Sequence, residues 1–125
     1  MKDELLAAKQ RIREAARVWK KLTPPGVTIH LIFIEGDVDT ESPTVICETK
    51  TAWEYHQAAQ RWSLTNAAGL SQDEIDATYV HEVMHVYLGV IEAHLRSDDE
   101  HAHWVNSVCE HTVESLALAF LRLVP

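Results

Sequence analysis

Residues 71–96 read SQDEIDATYVHEVMHVYLGVIEAHLR. The stretch opens on a capping box, in which the Ser71 hydroxyl and the Glu74 carboxylate each satisfy a free N–H of a first helical turn. From there the spacing predicts a helix to about residue 96. Its middle is apolar nearly all round, with Val80, Val83, Met84, Val86, Tyr87, Leu88, Val90 and Ile91. A helix apolar on every side has to be largely buried. Three polar residues interrupt this stretch: His81, Glu82 and His85. Burying such groups is costly unless they are paired or bound.

The pattern His81-Glu82-Val83-Met84-His85 is HExxH. Positions i and i+4 lie one above the other on a helix, so both imidazoles can reach one ion. Glu82 is angled away from direct ligation and next to a water that such an ion would hold. Zinc lowers the pKa of that water from 15.7 to about 7, and a nearby carboxylate can take its proton. With 8 His and 12 Glu in the chain, random placement would give the motif in roughly 5 of 100 such sequences. The setting in a capped, apolar helix adds the weight the motif alone lacks.

Working outward, Ser97 and Glu100 form a second capping box, and a last helix is predicted over residues 98–123. Its expected core stripe is Val105, Val108, Thr112, Leu116, Phe120 and Leu123. Upstream, apolar residues at three- and four-residue spacing predict a helix over residues 2–22, ended by Thr23-Pro24-Pro25-Gly26. A strand is expected over 27–35, apolar enough for burial on much of both faces. Residues 36–43 form an acidic loop. Two further strands are expected at 44–49 and 53–64, with a helix over 52–61 as the alternative, and 66–69 is a loop. Three main helices with a small sheet of two or three strands make an α+β domain spanning residues 1–125.

A catalytic zinc site normally has three protein ligands and an open position. A third histidine in HExxHxxGxxH is not available: position 88 is Leu88, the glycine comes late at Gly89, and position 91 is Ile91. The last helix offers Glu110 and Glu114, four apart on one face, and either can serve as the third ligand. Glu92, seven residues beyond His85, is a weaker rival. His94, His101 and His103 surround the connection between the helices and read as solvated loop histidines. His111, Tyr79 and Tyr87 are candidate donors to a developing oxyanion, and the sequence does not choose among them.

With these residues in place, the chain resembles the gluzincin metallopeptidases, whose pattern is HExxH followed by ExxxD on a later helix. The run Glu110-His111-Thr112-Val113-Glu114, together with HExxH, also looks like small metallopeptidases encoded by phages and prophages. The helix pair is similar, more loosely, to repressor-cleaving ImmA/IrrE-type peptidases. The resemblance implies a zincin-like fold, one zinc ion held by His81, His85 and Glu110, and Glu82 as general base. It makes Glu114 the acceptor that orients His81, with Glu where the family usually has Asp. The substrate it implies is a protein or peptide. The rival reading is a non-catalytic zinc-binding phage or partner-binding protein on the same fold.

The formal charge of −8, from 11 basic and 19 acidic residues, argues against a broad nucleic-acid or anionic-membrane surface. Seven of the basic residues fall within the first 21 positions, leaving a small patch there. The N-terminus, MKDELLAAKQ, has no apolar leader, and no stretch reaches membrane-spanning length. Cys47 and Cys109 read as reduced thiols, so the expected location is cytoplasmic.

Overall fold

The computed structural model describes residues 2–52, 56–96 and 102–123. Helix α1 (Lys2–Val18) buries Ala8, Ile12 and Ala15 along one stripe. It is followed by a single 3-10 turn (Lys20–Leu22), with buried Trp19 at the junction. Gly26, at φ +79°, then takes a left-handed conformation that an L side chain rarely adopts, and strand β1 (Thr28–Ile34) begins.

Strand β2 (Cys47–Ala52) starts three residues later than expected, and β3 is Gln57–Ser63. The helical alternative for 52–61 is therefore excluded over its described residues. The sheet order is β1-β3-β2, with β3 parallel to β1 and antiparallel to β2. Register places Ile29, Leu31 and Phe33 of β1, Ala58, Gln60 and Trp62 of β3, and Cys47, Thr49 and Thr51 of β2 on one face. This face meets the helices. The expectation that β1 is buried on both faces is corrected, because β1 is an outer strand whose burial alternates and whose Ile32 is exposed.

A one-turn helix absent from the sequence reading, α2 (Leu64–Ala67), follows β3 directly and is capped by Ser63, whose Oγ accepts from Asn66 N at 3.2 Å. Asn66 Nδ2 also donates to the carbonyls of Pro43 and Val45 at 2.7 and 2.8 Å, pinning the loop that leads into β2.

Helix α3 (Gln72–Arg96) opens on the expected capping box: Glu74 N donates to Ser71 Oγ at 3.2 Å, and Ser71 N to Glu74 Oε1 at 3.3 Å. Gln72 Nε2 donates to Arg11 O at 2.9 Å, tying α1 to this helix start. Ile75, Val80, Val83, Met84 and Val86 are buried, whereas Tyr87 is exposed. The second capping box, at Ser97 and Glu100, lies outside the described residues.

Helix α4 (Ala102–Leu123) packs on α3 through Cys109, Val113 and Ala117. The expected stripe is corrected here. Val108, Thr112 and Leu116 are exposed, and the buried row lies one position further along. Small side chains in the buried row allow close helix approach. The shift also sets Glu110 and Glu114 immediately beside the seam. Among the described residues the architecture is thus α+β, with four helices and a three-stranded mixed sheet. Among the described residues, no helix is long and apolar enough to cross a membrane.

Candidate metal centre

The HExxH spacing does locally what helix geometry requires. The His81 and His85 rings sit with centroids 5.0 Å apart on one face of α3. Glu110 on α4 faces both, with its Oε2 at 3.4 Å from His81 Nε2 and its Oε1 at 3.1 Å from His85 Nε2. One nitrogen or oxygen from each of these three residues lies within 4.8 Å of the others. That set, two imidazoles and a carboxylate, matches in type and number what zinc takes from protein at an open site.

Glu114 reaches the other nitrogen of His81, with Oε2 2.7 Å from Nδ1. A proton on Nδ1 donated to Glu114 leaves a lone pair on Nε2, the atom that faces Glu110. The extra methylene of Glu relative to Asp does not prevent this contact. Glu92, His94, His101 and His103 lie outside the described side chains.

The charges respond to this packing. His81 and His85 hold the Glu110 carboxyl far below the usual carboxylate range. Burial opposes protonation of His81, but Glu110 and Glu114 outweigh it and raise its pKa. Glu82 is only 6% exposed, and that burial pushes its carboxyl up, against the pull of Thr49 and the two imidazoles.

Among the described residues, Glu82 has one hydrogen-bond partner outside its own helix. Thr49 on β2 donates its hydroxyl to Glu82 Oε2 and also lies 3.4 Å from the Glu82 carbonyl. Sequence reasoning passed over Thr49, since a threonine in a strand carries no local sign of a contact 33 positions away. It also passed over Cys47 as a site residue. Both cysteines are buried and outside any disulfide, and burial, with Glu82 adding to it, pushes the Cys47 thiol well up.

A cleft of about 280 Å³ opens beside the cluster, lined by Ile46, Cys47, Ala77, Thr78, His81, Glu82 and Glu114. None of the three suggested oxyanion donors lines it. Tyr79 is buried and faces a separate cavity of about 510 Å³ between α1 and β1. Tyr87 and His111 are exposed elsewhere on their helices. Compared with protein-family models, curated proteins and solved structures, the chain gives no match, so the reading of this site rests on its own residues.

Proposed function

We propose that this chain is a zinc-dependent peptidase of zincin-like fold, with the ion held by His81, His85 and Glu110. The observation that carries the reading is the convergence of these donors within 4.8 Å, beside a buried glutamate and an open cleft. Zinc held there would supply a Lewis acid that polarises the scissile carbonyl and lowers the pKa of bound water to about 7.

The rest falls to the chain's own groups. Glu82 takes the proton of the attacking water and passes it to the leaving amine. Its raised pKa brings it nearer to neutrality, where proton transfer in both directions is efficient. Glu114 holds the His81 ring and its tautomer. Strand β2 is an outer strand packed against α3. An extended peptide can therefore add to its edge and lie across the cleft. A structural zinc site usually has four protein ligands. Among the described residues three such donors gather here, and the cleft beside them favours catalysis over a purely structural ion.

The deciding experiment compares wild type and Glu82→Gln, both analysed for zinc, on a panel of unstructured peptides. The expected result is one ion per chain in both and a loss of about 10²- to 10⁴-fold in hydrolysis in the variant. Full activity in zinc-loaded Glu82→Gln protein would refute the mechanism.

A further inference from the structure

We propose that Thr49 is a positioning residue for the Glu82 carboxylate, fixing from the sheet a group that the metal helix alone leaves free to rotate. The proposal rests on the peptidase reading above and adds a residue that HExxH does not contain. Glu82 follows His81 directly, so helix geometry fixes its Cα but not its carboxylate, which swings on three side-chain torsions.

The described contacts supply one restraint. The Thr49 hydroxyl has a single proton and two nearby acceptors, the Glu82 carboxylate and the Glu82 carbonyl at 3.4 Å. The carboxylate is much the closer, and a hydrogen bond to an ionised oxygen is the stronger one. This bond occupies Oε2. Oε1 is left without a donor among the described residues, on a side chain that lines the cleft. One oxygen is thereby held and the other kept for proton transfer.

Thr49 is itself held on two counts. A β-branched side chain is stiff about its first torsion. β2 is in register with the central strand, where Thr49 lies opposite Gln60. Gln60 is fully buried and its Oε1 accepts from Trp62 Nε1 at 3.1 Å, which ties the residue opposite Thr49 to the core.

A simple tie between strand and helix would need only the carbonyl contact. Burying an ionisable carboxylate for stability alone is poor economy, since an apolar pair of similar shape does as well or better. The arrangement makes sense as control of a reacting group, where a misplacement of about 1 Å can cost 10²-fold in rate.

The test uses Thr49→Val, which keeps shape and removes the hydroxyl, and Thr49→Ser, which keeps the hydroxyl. Both are compared with wild type for zinc content, kcat and KM on one cleaved peptide, and by crystal structures of the metal-free proteins. Expected are one zinc per chain throughout and, for Thr49→Val, a kcat lower by about 10- to 100-fold with KM within about threefold. Thr49→Ser should recover most of the rate. In metal-free Thr49→Val crystals the Glu82 carboxylate should leave the β2 side. A wild-type kcat in Thr49→Val, or a Glu82 carboxylate that stays in place, overturns the proposal. If Thr49→Val does not fold, Thr49→Ala gives the same comparison. If wild type itself cleaves nothing, the peptidase reading falls, and the crystallographic arm decides separately whether Thr49 holds Glu82.

Discussion

The two helices that build the centre hold their parts of it in different ways. On α3, the His81 and His85 side chains are 21% and 11% exposed and are carried by a helix that buries Ile75, Val80, Val83, Met84 and Val86 in the core. On α4, Glu110 and Glu114 are 47% and 55% exposed. They sit beside the helix seam and are held mainly by attraction to the imidazoles. The α3 half is therefore placed by packing and the α4 half by charge. Loss of charge should loosen the second half while leaving the first in place.

The sharpest break is His85→Ala, which removes a proposed ligand from the packed half. Elemental analysis should show zinc falling from one ion per chain to trace, with the fold retained by circular dichroism. Glu110→Ala should keep some metal, at an affinity reduced by more than the roughly 10- to 100-fold expected of an orienting partner. Glu114→Ala should fall within that 10- to 100-fold range by chelator competition. If Glu114→Ala lost more zinc than Glu110→Ala, the two glutamates would have to exchange roles.

The packing side of the comparison is tested on α4 itself. Val113→Ala should destabilise by about 2 kcal/mol in denaturant unfolding, as removal of buried methyl groups does. Val108→Ala should stay within about 0.5 kcal/mol, as surface changes do. Equal effects would mean that the helix is rotated from the orientation described.

The charge side predicts a pH dependence in the metal-free protein. Glu110 is depressed in the fold, so it stabilises above its unfolded pKa of 4.5, and that stability is lost as pH falls toward the folded value. His81 is raised, so it stabilises below its unfolded pKa of 6.5, and that stability is lost as pH rises through the folded value. Both contribute between about pH 4.5 and 6.5, so the melting temperature should peak there. Glu110→Ala should flatten the peak. Salt should lower it as well, because the carboxylate is nearly half exposed. The smallest effect is a gain: Glu82→Gln removes a buried ionisable group and should raise the metal-free melting temperature slightly at neutral pH.

The same contrast explains what could be read from the sequence. The α3 features are local: the Ser71–Glu74 box and the His81–His85 spacing follow from helix periodicity within one segment. Helix α4 was legible as a helix but not in its rotation, because it carries two apolar rows. The row through Val108, Thr112 and Leu116 is at least as hydrophobic in pattern as the one α3 selects. Only the facing surface, which favours the small Cys109–Val113–Ala117 row, decides between them. The start of β2 depends on where β3 lies opposite it, and the role of Thr49 depends on that register in turn. Both are non-local facts.

The strand order has a consequence for how the molecule is made. β3 comes last of the three strands in the chain, yet both others pair with it and not with each other. A nascent chain emerging from the ribosome therefore carries β1 and β2 with no sheet partner until residue 63 is synthesised. Glu82 and its threonine, and His81 and Glu114, are each separated by 33 positions. The cluster is thus completed only once α4 has been translated, so uptake of the proposed ion would be a late event in biogenesis, after the α3 half of the cluster has been set by its core.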